Sequence, residues 1–168
     1  MSGGGKRQQR RTDGGAAAVE FALIVPVLLL LTFGLINYGY MLSYRQGLSQ
    51  GAAEGARAAA VALPSTTSGA KLTAAVNAVN ESLGSYGVSC AATAAGAATS
   101  ASGALRRDSA DVGTCTVTIA ACQQTPTASC ARVSLVHEYA AHPLIPSVPG
   151  VGLVLPDELS YTAAAEVS

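Results

Sequence analysis

Apolar and polar positions follow different patterns in different parts of the chain, and the first part is the most apolar. Residues 16–44 read AAAVEFALIVPVLLLLTFGLINYGYMLSY and carry a single charge, at Glu20. As a helix this run would be about 44 Å long, enough to cross a hydrocarbon core of about 30 Å. Pro26 predicts a kink, which a membrane helix tolerates. We therefore expect a transmembrane helix over residues 16–44.

The helical spacing continues beyond this run and then stops. Residues 45–62 are predicted to extend the helix as a stalk, and residues 63–168 are predicted to form a head. Within the head, apolar residues at helical spacing predict a second helix that ends at Gly84. These residues are Leu72, Val76, Val79 and Leu83.

Strand-like alternation marks much of the remaining head. It occurs in three runs: Cys115, Val117, Ile119 and Ala121; then Val133, Leu135, His137 and Tyr139; then Tyr161, Ala163, Ala165 and Val167. Residues 91–110, AATAAGAATSASGALRRDSA, lack periodicity and predict a solvent-exposed loop. The predicted fold class is α+β, with one amphipathic helix packed on a short antiparallel sheet at the end of the long helix.

Charge is distributed unevenly, although the formal net charge is zero. Residues 1–15 carry four basic residues and Asp13, a balance of +3, which leaves −3 for residues 16–168. Basic residues directly before an apolar span hold that end in the cytoplasm, so we expect the head on the other side of the membrane. Tyrosines at the far end of the span favour the membrane interface. The acidic body argues against a nucleic-acid partner. The interfacial tyrosines are Tyr38, Tyr40 and Tyr44.

The stretch from Gly15 to Phe21, GAAAVEF, resembles the processing site of type IV pilin-like precursors. In that family a basic leader ends in Gly, a prepilin peptidase cuts after it, and a Glu and an aromatic residue occupy the fifth and sixth positions of the mature chain. Residues 14–61 as a whole resemble TadE-like proteins of the tight-adherence (Flp) pilus assembly system, and residues 131–168 do so more weakly.

The resemblance implies a function, a location and partners. Residues 1–15 would be a cytoplasmic leader, removed by cleavage between Gly15 and Ala16. The mature protein would be a minor pilin or pseudopilin in the bacterial cell membrane, in contact with lipid. Its expected partners are prepilin peptidase, other pilin-like subunits and Tad assembly proteins.

Glu20 is the residue whose role most needs explaining. A carboxylate in the centre of a membrane helix costs about 2.5–3.5 kcal/mol, although Glu20 lies near one end and could reach the headgroups. Cleavage after Gly15 would place an α-ammonium on Ala16, four residues away on the same helix face. The ammonium of a neighbouring subunit is the other possible partner, and this makes Glu20 a candidate subunit contact.

Small residues recur every four positions just beyond the apolar run. They allow another backbone to approach closely, which predicts a subunit-contact face; simple low complexity explains them equally well. They are Gly47, Gly51, Gly55 and Ala59.

Four cysteines lie in the predicted external head, where an even count indicates two disulfides. Three pairings are possible. Cys122 and Cys130 flank a plausible hairpin turn, which favours that pair and leaves Cys90 with Cys115. Such bridges would matter, because the chain has no Trp and only 5% aromatic residues and so predicts a thin core.

Catalytic and cofactor signals are weak throughout. His137, Glu138 and His142 form H-E-x-x-x-H, one residue longer than the zinc-protease motif, and their predicted context is a strand that ends before Pro143. We therefore expect no metal, no cofactor, no small-molecule substrate and no enzymatic activity. The alternative to a pilin role is an unprocessed, single-pass tethered binding module outside the cytoplasm.

Overall fold

The computed structural model describes residues 9–63, 66–145 and 155–167. Two helices are followed by a short 3-10 turn, Gly84–Tyr86, and five strands. The helices are α1, Gln9–Val61, and α2, Ser68–Leu83; the strands are β1, Val88–Cys90; β2, Ser100–Arg107; β3, Ala110–Ala121; β4, Ser129–His137; and β5, Leu159–Val167. The predicted α+β class, with a long N-terminal helix, is confirmed.

Helix α1 has two parts with different surroundings. Residues 15–36, called the exposed helix below, are exposed or half-exposed along their whole length. The helix is long and apolar enough to cross a membrane, and none of its most apolar 18-residue window is buried by the rest of the chain. At about 1.5 Å per residue the exposed helix is about 33 Å long, close to the thickness of a hydrocarbon core. An N-terminal apolar helix of this kind indicates membrane anchoring.

The second part of α1 belongs to the core of the head, which corrects the predicted stalk over residues 45–62. One stripe of the helix is fully buried at Tyr44, Leu48 and Ala59. The same stripe begins at Met41, so the upper end of the predicted span, residues 37–44, also enters the head. The predicted helical spacing is confirmed as far as Val61, but the small residues of this segment pack within the chain.

Helix α2 forms as the apolar spacing predicts. The Thr67 side chain accepts a hydrogen bond from the backbone N–H of Ala70 at 3.3 Å and caps the first turn. Leu72, Val79 and Leu83 are fully buried against the core. The predicted apolar face of this helix is confirmed.

The five strands form one antiparallel sheet in the order β1-β2-β3-β4-β5. Helices α1 and α2 pack on one face, where Val117, Val133 and Leu135 are fully buried. The other face is rich in hydroxyl side chains, and Ser102 lies 3.0 Å from Thr116. The alternation predicted for β3, β4 and β5 is confirmed by this division between faces, except that Tyr139 lies beyond the end of β4.

The predicted loop over residues 91–110 is shorter than expected. Residues 100–107 form β2, and β3 begins at Ala110. Gly103 of β2 has no side chain because the chain at Ala91 crosses directly over it, and an added Cβ atom would lie 2.5 Å from the carbonyl carbon of Ala91. A strand whose inner face carries little apolar bulk has no alternation to detect.

Both favoured disulfides are confirmed. Cys90 and Cys115, the long bridge, join β1 to β3 with a Cα separation of 5.8 Å. Cys122 and Cys130, the hairpin bridge, close the β3–β4 connection with a Cα separation of 5.0 Å. The long bridge fastens the middle of β3 and the hairpin bridge fastens its C-terminal end, in a head with few large side chains.

Candidate functional site

The surface of the exposed helix is almost entirely apolar. Phe21 is 70% exposed and Leu35 is 76% exposed, although each would normally be buried in a water-soluble protein. The Thr32 hydroxyl donates to the Leu28 carbonyl oxygen at 2.8 Å, so this polar group is satisfied within the helix. A helix with satisfied polar groups and an apolar surface is suited to lipid or to a neighbouring apolar helix.

The predicted processing residues lie at the start of this helix. Gly15 is exposed, and a Cβ atom placed there would have no neighbour within 4 Å. Ala16, Glu20 and Phe21 are also exposed. The rise from Ala16 to Glu20 is about 6 Å along the helix axis, so both lie on one face. The head leaves the Gly15–Ala16 bond uncovered.

The small residues of α1 form a contact face, called the glycine stripe below, but its neighbours belong to the same chain. The glycine stripe consists of Gly47, Gly51, Gly55 and Ala59. A Cβ atom at Gly55 would lie 2.8 Å from Val79 Cγ2 on α2 and 3.2 Å from Val133 Cγ2 on β4. At Gly47 it would meet the ring of Tyr86 at 2.6 Å. The close approach predicted from the spacing is therefore used inside the head, which corrects the expectation of a subunit contact at these glycines.

The same is true of Gly51 and Ala59. Gly51 faces Ser82 and Leu83 at 3.5 and 3.6 Å, measured from an added Cβ atom, and Ala59 is fully buried. Of the residues predicted to contact other subunits, Glu20 is the one that remains open on the surface.

A polar contact joins α1 to the sheet where the helix enters the head. The Tyr44 hydroxyl lies 2.7 Å from Nδ1 of His137, and both side chains are fully buried. Nε2 of His137 lies 2.9 Å from the carbonyl oxygen of His142. Because a carbonyl oxygen only accepts, Nε2 carries the proton and donates. Burial lowers the pKa of His137 and so favours the neutral ring, in which Nδ1 accepts from the Tyr44 hydroxyl.

Aromatic rings surround this contact and form what we call the junction cluster. The Tyr44 ring centroid lies 5.2 Å from that of Tyr86, 5.2 Å from that of His137 and 6.2 Å from that of Tyr139. Tyr40 adds an edge contact with Tyr86 at 6.0 Å. The junction cluster consists of Tyr40, Tyr44, Tyr86, His137 and Tyr139.

The junction cluster changes the role predicted for the tyrosines of α1. Tyr38 is exposed, as expected for an interfacial residue, but Tyr40 is half-buried and Tyr44 is wholly buried. Burial lowers the pKa of His137, with the neighbouring His142 and Arg107 acting in the same direction, and the hydrogen bond to the His142 carbonyl opposes the shift. Burial also raises the pKa of Tyr139.

The H-E-x-x-x-H residues are separated by the end of a strand. His137 is the last residue of β4, Glu138 is exposed, and His142 lies in the turn that follows. Both ring nitrogens of His137 are occupied by the contacts to Tyr44 and His142. Among the residues that the structure describes, no group of three His, Cys, Asp or Glu side chains is arranged to hold a metal ion.

Comparison with known proteins adds one finding to this geometry. No curated protein and no solved structure gives a significant match to the chain. The family model of the TadE-like proteins matches residues 15–57, which include the exposed helix and the buried glycines Gly47, Gly51 and Gly55. The resemblance of this chain to the TadE-like family is thereby confirmed over residues 15–57.

Proposed function

We propose that this protein is a minor pilin or pseudopilin that acts in the membrane during assembly of a Tad (Flp) pilus. Its role is structural rather than enzymatic. Prepilin peptidase cleaves it between Gly15 and Ala16, and the mature chain then packs beside other pilin-like subunits and Tad assembly proteins. The match to the TadE-like family supports an association with this pilus system.

The observation that carries the proposal is the division of α1 into the exposed helix and a part that is buried in the core of the head. The exposed helix makes almost no contact with the rest of the chain, whereas residues from Met41 onward are built into the core. Removal of the leader would therefore leave the head unchanged. The exposed apolar surface remains available to lipid or to the helices of other subunits.

Glu20 supplies the polar contact in this arrangement. Cleavage creates an α-ammonium on Ala16, and an ammonium and a carboxylate four residues apart on a helix can pair. The same ammonium on a neighbouring subunit would offer an intermolecular partner. Either pairing reduces the cost of a lone carboxylate in an apolar environment.

Orientation follows from charge. The +3 leader would stay in the cytoplasm, where the peptidase acts, and the head would lie outside. The two disulfides support an oxidising location for the head. The chain would therefore be a single-pass protein of the bacterial cell membrane.

The experiment that tests the proposal compares two glycine substitutions in cells that make the pilus. Gly15→Leu should block cleavage and abolish pili seen by electron microscopy. Gly34→Leu is the matched control, since a Cβ atom at either glycine meets no atom of the chain within 4 Å. The control should still be cleaved. Normal pili with an uncleaved Gly15→Leu chain would contradict the proposal and favour the unprocessed tethered binding module.

A further inference from the structure

The contact between Tyr44 and His137 bridges three parts of the chain that are distant in sequence. Tyr44 lies on α1, His137 ends β4, and His142 lies in the segment that follows. The imidazole is 0% exposed, and its two nitrogens bind one group from the helix and one from that segment. The ring therefore ties α1, at the point where it enters the head, to the end of β4.

Titratable and charged groups face this ring from each element that packs around it. Helix α1 contributes Tyr44, and β2 contributes Arg107. The segment after β4 contributes Glu138, Tyr139 and His142. The register partners of His137 are Gly113 on β3 and Leu159 on β5, and neither titrates. Glu138 is exposed to solvent and contributes a screened charge.

We propose that the Tyr44–His137 contact is an acid-sensitive latch that holds the start of the buried part of α1 against the sheet and loosens it there when His137 takes up a proton. Protonation would occur at Nδ1, the one ring nitrogen without a proton. Nδ1 would then donate rather than accept, and the Tyr44 hydroxyl would lose its acceptor. The new charge would also lie in a fully buried aromatic environment.

The direction of the pH effect follows from proton linkage. Burial lowers the pKa of His137 in the folded chain below its usual value near 6.5, so the released form binds the proton more tightly. The latch is fully closed above about pH 6.5, where the ring is neutral in both forms. Its contribution is lost as the pH falls through the lowered folded-state pKa. Acidification around the head would therefore loosen the start of the buried part of α1 from the sheet.

Hydrogen exchange tests the latch on the full chain in lipid nanodiscs. After correction for the intrinsic pH dependence of exchange, protection of residues 37–48 should fall several-fold between pH 7 and pH 5. His137→Gln, which can still accept from Tyr44, should remove this pH dependence. His142→Gln should keep it, because the backbone carbonyl that binds Nε2 is retained.

A second measurement decides the matter if His137→Gln fails to fold. The chain has two histidines, so the imidazole signals can be assigned by NMR with His142→Gln. The His137 signal should titrate below pH 6.5, in step with the loss of protection. A His137→Gln chain that retains the pH dependence would overturn the latch, and so would a His137 ring that titrates with no change in exchange. The latch does not depend on the pilin proposal and can be tested whether or not the leader is cleaved.

Discussion

Alanine at Gly51 and alanine at Gly55 should change the stability of the chain in opposite directions. Both glycines lie in the buried part of α1, one turn apart, on the face that packs against α2. In a helix interior, glycine is about 0.8–1.0 kcal/mol less favourable than alanine. Each substitution therefore gains about the same amount from helix propensity, and the difference between them comes from packing.

The space around each glycine sets the size of this difference. At Gly51 an added Cβ atom lies 3.5 Å from Ser82 Cβ and 3.6 Å from Leu83 Cγ, which are ordinary contacts, and burial of a methyl group adds up to about 0.8 kcal/mol. We expect Gly51→Ala to stabilise the chain by about 1–2 kcal/mol.

At Gly55 the added atom lies 2.8 Å from Val79 Cγ2 and 3.2 Å from the carbonyl oxygen of Ala75, a backbone atom that cannot rotate away. Overpacking of this kind costs about 1–3 kcal/mol and outweighs the gain from helix propensity. We therefore expect Gly55→Ala to leave the chain less stable than the unmodified protein.

Thermal unfolding of the full chain in detergent gives the melting temperature, Tm, of both variants. A chain of this size shifts by about 2–4 °C in Tm for each kcal/mol, so Gly51→Ala should melt about 5–10 °C above Gly55→Ala. If the glycine stripe were a subunit contact, both substitutions would weaken association between subunits. The two variant monomers would then unfold at the same temperature. Equal melting temperatures combined with equal loss of crosslinked dimer would refute the intramolecular packing described here.

Two further stability predictions follow from the head. Replacing both cysteines of the long bridge by alanine should destabilise the chain by about 1 kcal/mol more than the same change in the hairpin bridge, because the bridges span separations of 25 and 8 residues. Urea unfolding of the two variants measures the difference in free energy of unfolding. A larger loss of stability from the hairpin bridge would contradict this prediction. Tyr44→Phe should lower the free energy of unfolding by about 1–3 kcal/mol because it leaves a buried imidazole nitrogen without a donor. The exposed Tyr38→Phe serves as its control in the same assay, and an equal effect of the two would contradict the role of the Tyr44 hydroxyl.

The elements with strong periodicity were predictable from sequence, and those with weak periodicity were not. Leu72 to Leu83 repeat large apolar residues at helical spacing, and β3 and β4 alternate valine, isoleucine and leucine with polar residues. Strand β2 offers Ala101, Gly103 and Leu105 on its inner face, too little bulk to reveal a strand. Its Gly103 is small because the chain passes over it, a long-range constraint that no local pattern records.

The features of the candidate site also fall into two groups, those predictable from local sequence and those that depend on contacts between distant residues. The exposed helix, Glu20 and the Gly15–Ala16 bond could be located from local sequence, since their character depends on a continuous run of residues. Tyr44 and His137 are 93 residues apart, and neither carries a signal for the other. A tyrosine near the end of an apolar helix is typical of a membrane interface. Only the packing of the head on α1 shows that Tyr44 is internal.

The identity of the first residue in the mature protein tests the central claim most directly. N-terminal sequencing and intact mass of the chain purified from native membranes would locate the cleavage site without any substitution. The account predicts a chain that begins at Ala16, with the leader absent. A chain that retains the leader and begins at Met1 would contradict prepilin-type processing and leave α1 as a simple membrane anchor.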